Sequence, residues 1–123
     1  MRLLIQIGLI QLAVGALLGW AVVVWRERPE WLKRIGIVAP RRLLQIHLDY
    51  VMMGLILVAV GVVVPELPLA LAVILIAGTT VNPLLFLPLA FDNEADRHTP
   101  YRVITTLSFV AVSVGLVGTA IAY

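Results

Sequence analysis

His47 is the side chain in this sequence whose type and position are best suited to chemistry. It lies about one turn inside the apolar run 43–64, whereas the second histidine, His98, lies between two apolar runs. Ionisable side chains are costly inside a membrane-spanning segment and usually serve a function there. The imidazole of His47 could bind haem iron as an axial ligand, or it could simply hydrogen-bond a neighbouring helix.

The helical face that carries His47 is compatible with both interpretations. Four further residues share this face at helical spacing: Val51, Gly54, Val58 and Gly61. Its two glycines remove side chains where a flat haem could lie, which would make Val51 and Gly54 cofactor contacts beside the ligand His47. Glycine stripes also let two helices approach closely, and a Gly15-x-x-x-Gly19 motif in the first apolar run predicts such packing within the bundle or between subunits.

A single histidine restricts the haem chemistry that is available. Met52 and Met53 lie on the same predicted helix as His47, so neither can hold the iron from the opposite side. A haem bound by His47 alone keeps one coordination position open, which favours gas binding or Lewis-acid catalysis over electron transfer. The absence of cysteine excludes disulfides, cysteine-ligated zinc, iron–sulfur clusters and thiolate-bound or covalently attached haem.

Asn82 is the second candidate for chemistry, because it is an amide in the middle of an apolar run. Helical spacing places Thr79, Asn82 and Phe86 on one face. An amide beside an aromatic ring could orient a substrate. Alternatively, Asn82 could bridge two helices, or it could satisfy the carbonyl that Pro83 leaves without a backbone partner.

Two weaker patterns involve carboxylates. Asp49 follows Arg42 and Gln45 at helical spacing, and we expect it to pair with a cation or a polar neighbour. A second group could bind a divalent metal, and it comprises Asp92, Glu94, Asp96 and His98. Its spacing matches no known order of metal ligands, so a solvated loop is the expected structure.

The elements that carry these residues are almost wholly apolar. Of the 123 residues, 62% are hydrophobic and 13% are charged, against roughly 45–50% and about 25% in soluble domains. Four runs are each long enough to cross the hydrocarbon core as a helix, which takes about 20 residues: 3–24, 43–64, 67–91 and 103–123. The sequence therefore predicts one membrane domain, 1–123, with the all-α fold of a four-transmembrane-helix bundle.

Charge placement predicts the orientation of this bundle. Loop 25–42 carries six Lys or Arg residues and loop 92–102 carries two, whereas the turn Pro65–Glu66 carries none. Because cytoplasmic loops hold the excess of basic residues, both loops are predicted to be cytoplasmic and both termini outside, in a bacterial inner membrane. Within the first loop, Pro29 marks the start of a short interfacial helix.

Parts of two helices resemble the styrene oxide isomerases, a family of small four-helix membrane proteins. The resemblance rests on His47 at the start of the second run, on the pair Met52 and Met53, and on Asn82 with an aromatic residue, Phe86, four positions later. The layout of four spans is also similar, whereas the matching motifs are confined to the second and third runs.

The resemblance implies a fold, a cofactor and an activity. It implies haem b with His47 as the axial ligand of the iron, assembly as a trimer, and conversion of small apolar aryl epoxides to aldehydes by a Meinwald rearrangement, with ferric iron as the Lewis acid. Asn82 and Phe86 would be the catalytic positions. The family has a tyrosine at the position of Phe86, so its phenol hydrogen bond would have to come from Tyr50 or Tyr101.

Two other function classes fit the same residues. The first is a haem-binding sensor, carrier or accessory protein without turnover, which the phenylalanine at position 86 favours. The second is a cofactor-free membrane subunit or small transporter, which the Gly-x-x-x-Gly motif and the interruptions at Pro83 and Pro88 favour. In each case the lipid bilayer is the expected surrounding and no nucleic acid is expected as a partner.

Overall fold

A computed structural model describes all residues, 1–123, and confirms the all-α prediction, since it contains helices and no strands. The helices are α1 (Arg2–Glu27), α2 (Pro29–Arg34), α3 (Arg41–Val63), α4 (Leu69–Leu84), α5 (Phe86–Phe91) and α6 (Thr99–Ala122), with a 3-10 turn at Ala95–Arg97. Four stretches are long and apolar enough to cross a membrane: α1, α3, α4 together with α5, and α6. They coincide with the four predicted runs, so the four-helix architecture is confirmed.

The third span is divided where the sequence places two prolines. Pro83 lies inside α4, which ends at Leu84, and α5 begins at Phe86 with Pro88 as its third residue. Pro88 has no backbone N–H for the carbonyl four residues earlier, and its ring crowds that carbonyl, so the helix cannot run through unbroken. The predicted span 67–91 is therefore two helices joined at Leu85.

The long helices pack as two pairs. α1 packs chiefly on α3, α4 packs chiefly on α6, and α3 joins the pairs through contacts with α4 and α5. The largest apolar core lies where α1, α3 and α4 meet, and its buried residues are Leu4, Leu57, Val64, Leu67, Ala72 and Leu75. His47 therefore lies in the pair formed by α1 and α3, whereas Asn82 lies in the pair formed by α4 and α6.

The first basic loop is folded against the end of the third span. It contains the short helix expected at Pro29, and Leu32 of that helix is buried. The backbone N–H groups of Val38 and Ala39 both donate to the carbonyl oxygen of Ala90 in α5, at 2.8 and 3.0 Å. Since α5 leads directly into the loop 92–102, both basic loops lie at one end of the molecule.

The outer surface of the helices is apolar. Only 25 of the 123 residues are buried, and in α6 the buried residues are Ser108, Gly115 and Thr119 alone. Large apolar side chains such as Leu17, Leu107 and Ile121 are more than 60% exposed. An apolar surface of this extent is stable in contact with lipid rather than water.

Candidate functional site

His47 lies in α3, is half-buried and faces α1. Its Nδ1 atom is 2.5 Å from the backbone carbonyl oxygen of Gly15. A carbonyl oxygen can only accept a hydrogen bond, so Nδ1 carries a proton, and in a neutral ring it is the only nitrogen that does. The lone pair of the imidazole is then on Nε2, which is the arrangement found when a histidine binds a metal through Nε2.

Gly19 of α1 provides the space in which the imidazole lies. A Cβ atom added at Gly19 would be 3.2 Å from Cε1 of His47 and 3.5 Å from Nδ1. The missing side chain therefore lets the ring pack directly against the backbone of α1. The Gly15-x-x-x-Gly19 motif thus contacts His47 with both of its glycines, one through its carbonyl and one through its open face.

The glycine stripe below His47 is covered by α1. A Cβ atom at Gly54 would lie 2.7 Å from the carbonyl oxygen of Gly8, and one at Gly61 would lie 2.7 Å from Cγ1 of Ile5. Such distances leave no room for a planar cofactor between the helices. Close helix packing, the second interpretation of the stripe, is what the structure contains there, and Gly54 does not contact a haem in this arrangement.

Val51, the other expected cofactor contact, takes part in the same packing. A Cβ atom added at Gly15 would lie 3.0 Å from Cγ2 of Val51. The interpretation of Gly54 as a haem contact is thus corrected, because α1 occupies its face of α3; Val51 is half-buried, and its role as a haem contact stays a prediction.

Asn82 bridges α4 and α6. Oγ of Ser108 is 3.2 Å from Oδ1 of Asn82 and 3.2 Å from the carbonyl oxygen of Gly78. One hydroxyl proton cannot serve both acceptors well, whereas an amide turned by half a rotation would donate from its nitrogen to Oγ while the hydroxyl donates to Gly78. In either orientation the side chain links two helices, as one of the three sequence interpretations proposed.

Phe86 is the first residue of α5 and is half-buried. It follows Leu85, whose carbonyl oxygen accepts a hydrogen bond from the hydroxyl of Tyr101 at 2.6 Å. A phenol from α6 therefore lies at the break in the third span, one residue from Phe86 in sequence and three from Asn82. Tyr101 is the better placed of the two tyrosines that could supply the phenol absent at position 86.

The two principal candidates are not brought together within one chain. His47 makes its polar contact with α1, whereas Asn82 makes its polar contact with α6. The hydrogen bond from Tyr50 of α3 to the carbonyl of Thr80 in α4, at 2.8 Å, places them at similar depth because the two helices run in opposite directions. They share a level of the bundle and face different neighbours.

A buried polar cluster joins α1 to α4, and it includes a glutamine to which the sequence analysis assigned no role. Nε2 of Gln11 in α1 is 3.0 Å from the hydroxyls of both Thr79 and Thr80, and Thr79 donates in turn to the carbonyl of Leu75 at 2.7 Å. Gln11 is 3% exposed. The sequence does show an amide in the first apolar run and two hydroxyls at similar depth in the third. Their spacing does not show that α1 and α4 meet at these residues.

We expect Tyr50→Phe to lower the stability of the bundle by about 1 kcal/mol, because a buried hydrogen bond between two membrane helices is worth roughly that much. Tyr50 is 5% exposed, and its hydroxyl donates across the α3–α4 contact. Unfolding in mixed micelles, followed by helical circular dichroism, measures the effect. Tyr123→Phe is the matched control, since Tyr123 is 83% exposed and should unfold as the parent does.

The carboxylates of the second basic loop serve local structure. Oδ1 of Asp92 accepts the backbone N–H of Glu94 at 2.9 Å, and Glu94 forms an exposed ion pair with Arg97 at 3.5 Å.

The expected pairing of Asp49 in α3 is not seen, since Arg42 donates instead to Oε1 of Gln45 at 2.8 Å. No three His, Asp or Glu side chains gather into a group that could hold a metal ion, and a histidine-ligated haem does not need one.

Comparison with protein-family models, with curated proteins and with solved structures finds no match for this chain. The resemblance to the styrene oxide isomerases therefore stays a prediction that rests on the residues quoted above. What the arrangement itself offers is an imidazole in an apolar bundle whose Nδ1 contacts a backbone carbonyl and whose Nε2 makes no hydrogen bond within the chain.

Proposed function

We propose that this chain is an integral membrane protein that binds haem b through Nε2 of His47 and isomerises small apolar aryl epoxides to aldehydes. The observation that carries the proposal is the hydrogen bond between Nδ1 of His47 and the carbonyl of Gly15. Histidines that bind metals through Nε2 generally hold the other ring nitrogen in such a bond. The epoxide as substrate rests on the resemblance around His47 and Asn82.

The imidazole of His47 could hold a haem iron through Nε2, whereas the glycine stripe beside it leaves no room for the macrocycle. A haem would have to meet His47 from the side that α1 leaves open, because α1 covers Gly54. A bound ferric haem supplies a Lewis acid toward the oxygen of the epoxide. His47 contributes a neutral ligand, and the apolar helices contribute a water-poor setting in which a cationic reaction centre escapes hydrolysis.

Asn82 is proposed to orient the substrate, and its variants test that role. We expect Asn82→Ala to lower epoxide turnover by at least about tenfold, the rate factor that corresponds to 1.4 kcal/mol of lost transition-state stabilisation, while haem content is kept. Ser108→Ala breaks the same bridge between α4 and α6 from the other side and leaves the amide in place. Equal losses in the two variants would mean that Asn82 serves only to join the helices.

We further propose a bacterial cell membrane as the location, a trimer as the assembled form, and a cytoplasmic position for the loops 25–42 and 92–102, with both termini outside. The excess of basic residues in these loops supports the orientation. The chain has no cysteine, so Lys33→Cys and Glu66→Cys each create a unique thiol. In intact cells an impermeant maleimide should label the thiol at position 66 and leave that at position 33 unlabelled; the reverse pattern would invert the topology.

Purified protein with stoichiometric haem, mixed with styrene oxide, tests the activity. Formation of phenylacetaldehyde, measured by gas chromatography, supports the isomerase. A haem-binding protein without turnover is the second candidate, because His47 and Asn82 face different helices and Phe86 lacks a hydroxyl. Haem without aldehyde from any aryl epoxide would favour that candidate, and folded protein without haem would leave a cofactor-free membrane subunit or transporter.

A further inference from the structure

We infer that helix α1 is the positioning element of the His47 site, and that its Gly15-x-x-x-Gly19 motif selects the tautomer and the orientation of the imidazole. The purpose of this device, to present Nε2 to a ligand, rests on the proposed function. The device itself is a property of the chain without any cofactor, and it can be measured in that form.

The carbonyl of Gly15 fixes the tautomer. A free neutral imidazole carries its proton on either nitrogen, and the hydrogen bond made by one nitrogen decides which. The carbonyl oxygen lies 2.5 Å from Nδ1, so the proton is held there and Nε2 keeps its lone pair. Gly15 is buried, and a Cβ atom at this position would lie 3.0 Å from Cγ2 and 3.2 Å from the backbone nitrogen of Val51. The absence of a side chain is thus what lets this carbonyl come so close to α3.

Gly19 fixes the orientation of the ring. It lies one helical turn after Gly15, on the same face of α1. Its open face contacts three atoms of the imidazole, since an added Cβ atom would be 3.2, 3.5 and 3.9 Å from Cε1, Nδ1 and Nε2 of His47. A methyl group at the shortest of these distances would push the ring by a few tenths of an ångström, away from the carbonyl that holds Nδ1.

The positioning role is separable from helix packing in general. Gly61 also packs α3 against α1, with an added Cβ atom 2.7 Å from Cγ1 of Ile5 and 2.9 Å from the carbonyl oxygen of Met1. It lies fourteen residues after His47 on α3, about 21 Å along the helix axis. Gly61→Ala therefore disturbs the same helix pair at its other end, which makes it the matched control for Gly19→Ala.

The experiment is nitrogen-15 NMR of the haem-free protein, labelled at histidine and held in micelles or bilayers. His98→Gln serves as the background, so that His47 gives the only imidazole signals. The expected spectrum shows a protonated Nδ1 and an unprotonated Nε2. Gly19→Ala should lose this single form, by a shift or by mixing of the two tautomers, whereas Gly61→Ala should keep it even if its thermal stability falls.

A predominant Nε2–H tautomer in the parent protein would overturn the inference without any variant having to fold. Identical spectra for Gly19→Ala and the parent would overturn the role of Gly19. If the spectra agree with expectation and the protein nevertheless binds no haem, the positioning device stands and the proposed function fails. If haem binds, a several-fold weaker haem affinity in Gly19→Ala than in Gly61→Ala supports the inference, and equal affinities contradict it.

Discussion

If the parent protein binds haem as proposed, His47→Ala is expected to abolish that binding, so that the Soret band expected of the parent is missing from the purified variant. The reason is that His47 is the only side chain within the spans that can supply an imidazole to iron, and a haem without an axial protein ligand keeps only apolar contacts. Absorption spectra of oxidised and reduced protein, expressed with ample haem, give the measurement. The helical content should be unchanged, because the ring is only half-buried and the close contacts of Gly8, Gly54 and Gly61 between α1 and α3 remain.

His98→Ala is the control for this experiment. His98 is exposed at the start of α6, in the second basic loop, so its removal should leave the Soret band intact. A variant at position 47 that keeps stoichiometric haem would show that the iron is held elsewhere. In that case the isomerase proposal would lose the observation on which it rests.

Gly54→Ala is expected to produce the largest loss of stability among single methyl additions in the bundle. The new Cβ atom would lie 2.7 Å from the carbonyl oxygen of Gly8 and 2.9 Å from the backbone nitrogen of Leu12, and neither backbone atom can move without separating α1 from α3. Overpacking of this kind typically costs about 1–3 kcal/mol. Unfolding of the variant in mixed micelles should therefore begin at a clearly lower fraction of denaturing detergent.

Gly118→Ala carries the same methyl group into the other helix pair. There the nearest atoms are the two Cδ methyls of Leu71, at 2.6 and 3.2 Å, which belong to the end of a flexible side chain and can rotate away. Its loss of stability should thus be much smaller. If both variants unfold alike, backbone approach at Gly54 is not what holds α1 to α3.

The sequence was sufficient to predict four spans, because four long apolar runs leave little choice of secondary structure in a membrane. It did not show which helix each polar face would meet. The stripe through Gly54 was compatible with a flat cofactor and with another helix, and the packing of α1 on it is tertiary information. For His47 the spacing identified the residue, while the hydrogen bond that makes Nε2 available comes from a carbonyl 32 residues earlier.

In the third span, too, the sequence predicts the local irregularity of the helix but not the tertiary contacts made there. Pro83 and Pro88 marked an irregular helix, and steric conflict with the preceding carbonyl is local enough to be read from the sequence. The hydroxyl of Tyr101 donates a hydrogen bond to the carbonyl of Leu85 at this break, and that contact depends on how α6 packs. Likewise, Asn82 was an evident polar residue, but its contact with Ser108 of a different helix could not be predicted from the spacing.

The cluster around Gln11 has a consequence for the order in which the protein is made. α1 and α3 pack as a pair and both precede α4 in the chain, so they can meet in the membrane before α4 enters it. The amide of Gln11, however, finds its hydroxyl partners only at Thr79 and Thr80, 68 and 69 residues later in the chain. The nascent first hairpin thus holds an unmet amide in lipid until α4 arrives, and that unmet amide favours docking of the second hairpin on the first.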